Sequence, residues 1–260
     1  MYLNSDFLGY RHTNLTHYFI GSDQASLYKK NLDALPIDWY YRNRAITYVY
    51  NEYGHRCPNI KDVDFDNYIL FAGDSHTEGV GLELETTYPY LVAKELGTTY
   101  YNLGLGGSGL DVMFYNLSVW LSKYPKPKYI SLYYSDPTRF ITYLEEEDAY
   151  CHCSTWSDEY NIKNMLKFAD QCNYFNTRAF LLHNAAKLRL SDLNVPYSGI
   201  SISISDPNNP YGCKVFDQGE YPDKARDLSH SGIKKHIEIA QYLVADYKTK
   251  YNNATVHSTN

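Results

Sequence analysis

Residues 68–79 read YILFAGDSHTEG. Tyr68-Ile69-Leu70-Phe71-Ala72 is a short apolar run without alternation that ends in Gly73. That is the pattern of a strand buried on both faces of a parallel sheet. Asp74 and Ser75 follow in a tight turn ahead of a helix. This order puts the Ser75 hydroxyl at the carboxyl end of a strand, where open α/β sheets form their ligand crevice. Backbone N–H groups in such a turn can face a developing negative charge. A Gly-Asp-Ser tripeptide alone is a weak signal; the strand before it and the loop after it give it weight.

The pattern repeats downstream. Residues 87–96 (TYPYLVAKEL) read as a helix closed by Gly97, and 99–103 as a second strand. Residues 110–124 carry apolar side chains at helical spacing, and Pro125 and Pro127 break the chain before a third strand at 129–134. This β-α-β-α-β order implies a parallel sheet with right-handed crossovers and helices on both faces. Residues 137–160 are acidic and polar and read as a surface excursion, followed by a helical stretch over 162–190. Residues 199–205 (GISISIS) alternate as a fourth strand, 206–224 form a Pro- and Gly-rich loop, and 231–247 form a last helix. Its apolar side carries Ile233, Ile237, Ile239, Ala240, Leu243 and Val244. The last dozen residues are polar and read as frayed.

Upstream, 1–36 read as an irregular extension with a short helix near 23–31, ended by Pro36. Residues 45–50 are β-rich and precede a turn at 51–54, which suggests a small strand pair. The expected division is an N-terminal extension over 1–64 packed on the core, one α/β domain over 65–250 and a polar tail over 251–260.

Composition sets bounds. The chain has 260 residues, of which 44% are hydrophobic and 21% charged, enough apolar material for a sizeable core. A net charge of −6 argues against nucleic-acid binding, which needs clustered Lys and Arg. No apolar run is long enough to span a bilayer, so no membrane partner is expected. The start, MYLNSDFLGYRHTN, does not read as a signal peptide. The default expectation is a cytoplasmic protein, with a virus particle as the other setting. The five cysteines read as free thiols. Cys151-His152-Cys153 resembles a metal-ligand pattern, but no second cysteine pair follows, and no metal is expected. The 29 tyrosines against 10 phenylalanines fit either sugar stacking or Tyr filling the edge of the core.

Two further segments carry chemistry. Asn102-Leu103-Gly104-Leu105-Gly106-Gly107-Ser108-Gly109 follows the second strand. Its glycines allow close backbone approach to a ligand; a plain βα turn is the simpler reading, and a phosphate loop would need G-x-x-x-x-G-K-[ST]. Asp227-Leu228-Ser229-His230 precedes the last helix. An acid and an imidazole three apart meet the needs of a serine nucleophile for a base and an orienting acceptor, although such a pair is also ordinary loop chemistry.

In this order the three segments resemble the SGNH (GDSL-type) hydrolase family, over roughly residues 67–248. The resemblance implies a three-layer α/β/α sandwich with a parallel, flavodoxin-like sheet of five strands. It implies Ser75 as nucleophile, Gly107 as oxyanion-hole glycine beside the Ser75 N–H, and Asp227 and His230 as the other two members of a triad. It implies no metal or organic cofactor. One block departs: where the family has G-x-N-D, this chain has Tyr133-Tyr134-Ser135-Asp136. Ser135 stands at the position of the oxyanion-binding Asn and can donate through its hydroxyl; an ionised Asp136 would oppose the oxyanion, and Arg139 is a further donor.

The expected function is a serine esterase acting on an O-acyl ester, for instance an O-acetyl carbohydrate. The expected partner is a small-molecule or glycan ester, with the oligomeric state left open. An acyltransferase with the same triad and a non-catalytic module of the same fold, such as a virion component, are the alternatives. Among the remaining polar residues, His76 reads as exposed or satisfied in the core, His236 as solvated, and Glu78 as a structural acceptor near the turn. Tyr133, Tyr134 and Arg139 read as packing residues.

Overall fold

The structure is a computed structural model that describes residues 7–8, 12–144, 149–158, 160–202 and 211–257. The N-terminal part holds strand β1 (Thr16–His17), helix α1 (Ala25–Ala34) and strand β2 (Tyr48–Val49). Next come β3 (Tyr68–Ala72), the short helix α2 (Ser75–Glu78), α3 (Tyr88–Leu96), β4 (Thr99–Asn102), α4 (Leu110–Lys123) and β5 (Tyr129–Tyr133). Strands β6 (Phe140–Leu144) and β7 (Ala149–Cys153) precede helices α5 (Tyr160–Gln171) and α6 (Tyr174–Asp192). Strands β8 (Tyr197–Ser201) and β9 (Lys214–Val215) and helix α7 (Ile233–His257) complete the order.

The central sheet has the order β4-β3-β5-β8-β9, parallel throughout. From β3 the chain moves outward to β4, then crosses back over β3 to β5. Right-handed crossovers in opposite directions put α3 and α4 on opposite faces. Accordingly α3 packs with α7 and α4 with α6. Every residue of β3 and β5 is buried, as expected for strands covered on both faces.

Much of the tyrosine is core. Tyr68, Tyr88, Tyr101, Tyr129, Tyr133 and Tyr134 are almost fully buried, and their polar tips are tethered. Trp120 Nε1 donates to the Tyr68 hydroxyl at 3.0 Å, Tyr88 donates to Thr77 Oγ1 at 2.8 Å, and Tyr129 donates to Asp246 Oδ2 at 2.7 Å. Tyr101 stacks on Trp120 with ring centroids 4.0 Å apart. A buried Tyr whose hydroxyl is partnered contributes its ring area without an unsatisfied donor.

Several expectations are corrected. The small strand pair near 45–50 is formed by β2 with β1, some thirty residues upstream, a partner the local sequence did not name. The excursion over 137–160 contains an antiparallel hairpin, β6–β7, with Phe140 and Cys153 buried in a small cluster of its own; residues 145–148 and 159 lie outside the described residues. The helical stretch over 162–190 is two helices, broken where Asn173 takes φ 53°, a left-handed conformation that Asn tolerates better than most residues. The fourth strand sits two residues early, at Tyr197–Ser201, and positions 203–205 lie outside the described residues. The loop over 206–224 contains the fifth strand, β9, whose two residues are exposed; positions 206–210 are not described. Helix α7 runs on to His257, so most of the residues read as a frayed tail are helical.

The N-terminal segment is stapled beside the carboxyl edge of the sheet. Ile20, Trp39, Tyr41, Ile46 and Tyr48 form a second apolar cluster with Val80, Leu82 and Ala225. Within it Asp23 and Arg226, 1% and 2% exposed, pair at 2.7 Å, and Tyr48 also donates to Asp23. Among the described residues, no helix is long and apolar enough to cross a membrane.

Removing one partner of a buried ion pair leaves the other charge uncompensated, at a cost of roughly 3–5 kcal/mol. Asp23→Ala is therefore expected to lower the unfolding free energy by about that amount in urea titrations. A loss well under about 1 kcal/mol would mean that the pair does not hold the segment.

Candidate active site

The end of β3 is built for close approach. A Cβ on Gly73 would lie 2.5 Å from the Cβ of Tyr133 on the neighbouring strand, so only glycine fits there. Asp74 then caps α2, accepting from the His76 N–H at 2.9 Å, and it also accepts from Arg139 Nη1 at 2.6 Å. Ser75, the first residue of α2, is thereby presented at the carboxyl edge.

His230 lies 155 residues further along the chain, yet its Nε2 is 2.8 Å from Ser75 Oγ. Its Nδ1 is 2.6 Å from Asp227 Oδ2. An ionised carboxylate only accepts, so Nδ1 carries the proton and the Nε2 lone pair faces the serine hydroxyl. The loop that makes this possible is locally unusual. Leu228 takes φ 58°, costly for a residue with a branched side chain. The turn is held because Asp227 Oδ1 accepts from the N–H groups of Ser229 and His230, each at 3.1 Å. Leu228 itself packs against the second apolar cluster. Burial alone would raise the Asp227 pKa, but its interactions with His230, with help from Ser22, outweigh it and pull the carboxyl down to about 2.

The glycine-rich turn is fastened to α2. Asn102 Nδ2 donates to the Thr77 carbonyl at 2.8 Å, and Asn102 Oδ1 accepts from the Gly104 N–H at 2.9 Å. Gly106 N–H and the Tyr50 hydroxyl both donate to the buried Glu78 carboxylate. Glu78 is thus an acceptor at the turn, as expected, although burial pushes its pKa up. Gly107 follows with φ 77°, a conformation that favours glycine. Among the described residues, no protein acceptor takes the N–H of Ser75 or of Gly107. Both residues line a cavity of about 710 Å³ together with His230.

The structure does not bring every candidate to that cavity. Ser135 is buried, 2% exposed, and is not among the residues that line the cavity. The Asp136 carboxylate is turned to the Thr138 N–H and hydroxyl, at 2.8 and 2.7 Å. Arg139, read as a packing residue, does line the cavity, with its guanidinium bound to Asp74 and 5.1 Å from the Trp156 ring. His76 is buried; it stacks on Tyr133 at 5.4 Å and sets its edge against His230 at 4.8 Å. Burial, reinforced by the neighbouring His230 and the Arg139 guanidinium, pulls the His76 pKa well down. The expectation that His236 is solvated is wrong. It is 1% exposed, its Nδ1 accepts from the Tyr88 N–H at 3.0 Å, and burial lowers its pKa to about 3. The packing of α7 on α3 covers a position that sequence spacing puts near the start of an exposed helix.

Other parts of the wall were not singled out for this role. His12, Ile20, Ser22 and Gln24 come from the N-terminal segment, and Cys151, His152 and Trp156 from the β6–β7 region. The Cys-His-Cys triplet is the one local signal among them, and its pattern points to free thiols or a metal rather than to a cavity wall. Both groups reach the site by long-range packing, which leaves no local pattern.

The topology defines the fold class: a five-stranded parallel sheet between two helical layers, a three-layer α/β/α sandwich. No family model matches the chain, and no curated protein does. Solved structures similar to it include a lipolytic protein of the G-D-S-L family from Desulfitobacterium hafniense, with 10% identity, a TM-score of 0.45 and coverage of 69% of this chain and 99% of that one. Another is the acetyl xylan esterase Est2A from Butyrivibrio proteoclasticus, with 12% identity, a TM-score of 0.48 and coverage of 75% and 66%. A third is a family 2 carbohydrate esterase with a carbohydrate-binding domain from Corynascus thermopiles (Myceliophthora fergusii), with 15% identity, a TM-score of 0.46 and coverage of 76% and 70%. The chain spans just under two thirds of the length of Est2A.

The Asp227 carboxyl sits at about 2 in the folded protein, against about 3.9 for a free Asp. Its contribution to stability is therefore complete above about pH 4 and is lost as the pH falls toward 2. Asp227→Asn should flatten that part of the stability–pH curve, measured by urea titration at intervals from about pH 2 to 6. An unaltered slope would mean that the carboxylate is not held as described.

Proposed function

We propose that this protein is a serine esterase that cleaves an O-acyl ester through an acyl-enzyme. The observation that carries the reading is the continuous hydrogen-bonded line from Asp227 through His230 to Ser75, opening on a cavity. In the first half-reaction His230 Nε2 takes the hydroxyl proton of Ser75 as Oγ attacks the acyl carbon. The N–H groups of Ser75 and Gly107 stabilise the oxyanion, and Asp227 holds the imidazolium. Collapse breaks the acyl–oxygen bond, and His230 returns its proton to the leaving alcohol. In the second half-reaction His230 deprotonates water, which attacks the acyl carbon; the acid leaves and Oγ regains its proton.

A carbohydrate as the alcohol fits the wall best. Trp156, 51% exposed, lines the cavity with the Arg139 guanidinium over its ring, an aromatic and polar pairing of the kind that suits a sugar. His12, Gln24 and His152 add polar groups for hydroxyls.

A fluorophosphonate probe tests the nucleophile: wild type should label and Ser75→Ala should not. Equal labelling of both would remove Ser75, and no labelling of either would favour a non-catalytic binding module. His230→Ala should lower hydrolysis of acyl esters by at least about 10³-fold with the circular dichroism spectrum unchanged. Ser135→Ala should leave turnover nearly unaltered, since Ser135 is not part of the wall; a loss of about 10²-fold would put its hydroxyl on the oxyanion after all.

A further inference from the structure

Asp227 receives a hydrogen bond that the three sequence blocks do not account for. Ser22 Oγ donates to Asp227 Oδ2 at 2.5 Å, the same oxygen that lies 2.6 Å from His230 Nδ1. Ser22 Oγ is itself 3.5 Å from that nitrogen. The carboxylate therefore accepts four hydrogen bonds: from Ser22, from the imidazole, and from the N–H groups of Ser229 and His230.

Ser22 is held in place by its neighbours. Ile20 and Asp23 bridge one another through both backbone hydrogen bonds, at 3.0 and 2.9 Å, with Gly21 at φ 53° inside the turn. Asp23, next to Ser22, is locked to Arg226, next to Asp227, by the buried pair at 2.7 Å. The two segments are thus in register, residue against residue, across 203 positions of chain. Ser22 is exposed into the cavity and lies on its wall together with Ile20, Gly21 and Gln24.

We propose that Ser22 is a positioning residue for Asp227, supplied by the N-terminal segment; this rests on the esterase reading of the Asp227–His230–Ser75 line. Its hydroxyl does two things. It holds Oδ2 in line with the imidazole N–H, so that Nε2 stays aimed at Ser75. It also draws charge from the carboxylate, so that the imidazolium formed during catalysis is not stabilised too strongly to return its proton. Other charged or titratable groups around His230 are Asp74, His76 and Glu78 at the α2 turn, Arg139, His12 and His152 on the cavity wall, Lys224 and Arg226 on its own loop, and His236 on α7.

The test compares wild type, Ser22→Ala and Ser22→Thr on a p-nitrophenyl acyl ester across pH, with urea stability measured in parallel. Ser22→Ala should lose roughly tenfold in kcat, as for a hydrogen bond to a charged group, with KM little changed. The acid limb of its kcat/KM profile should move to higher pH, because a carboxylate with one donor fewer stabilises the imidazolium more. Ser22→Thr, which keeps the hydroxyl, should restore both. An unchanged kcat and pH profile in Ser22→Ala would overturn the proposal, as would a loss in both variants that follows their loss of stability. The downfield proton resonance of His230 Nδ1 supplies a readout independent of turnover. It should shift in Ser22→Ala and return in Ser22→Thr, and an unmoved resonance would also overturn the proposal. Wild type that neither labels with fluorophosphonate nor turns over would instead count against the esterase reading, while the resonance still reports on Ser22.

Discussion

Strand β3 is the constraint on which the rest depends. All five of its residues are buried between two helical layers, so it must pair on both edges, and it does, with β4 and β5. Its end abuts β5 so tightly that Gly73 has no room for a side chain. The chain can leave only by turning sharply at the sheet edge, and Ser75 is the residue that the turn presents. The reversal of strand order on either side of β3 opens the crevice in which that hydroxyl sits.

Around Ser75 the site is assembled by fastening distant segments to one another. Asn102 ties the glycine-rich turn to α2, Glu78 ties that turn to Tyr50 of the N-terminal segment, and Asp23–Arg226 ties that segment to the loop of Asp227 and His230. These links are charged or polar and mostly buried. Each is sensitive to the loss of one partner, because the group left behind stays desolvated. The arrangement gives the imidazole little freedom and holds its Nε2 toward Ser75.

The buried histidines divide by environment. His55, His76 and His236 are pulled well below the usual imidazole range by burial, so they act as neutral packing groups or acceptors. His230 differs because its Nδ1 faces a carboxylate and its ring reaches the cavity. The Asp partner and access to the cavity, rather than residue type, separate His230 from the histidines that only pack.

The parallel sheet is legible in the sequence, because runs such as 68–72 and 129–133 carry their burial in local composition, and Gly or Pro marks their ends. The sequence also pointed to Ser75, Gly107, Asp227 and His230, each of which sits in a turn with a recognisable pattern. Tertiary structure decided what depends on contacts between remote segments. It paired β2 with β1, made a hairpin of β6 and β7, and completed the sheet with two exposed residues at β9, too short a strand to leave a period. It buried His236 under α3, kept Ser135 out of the cavity lining, and brought Ser22 and Trp156 to the cavity. Local pattern reports which side of an element is apolar. It carries no information about which distant side chain will fill the space opposite, since that is set by packing and by the pairing of buried charges.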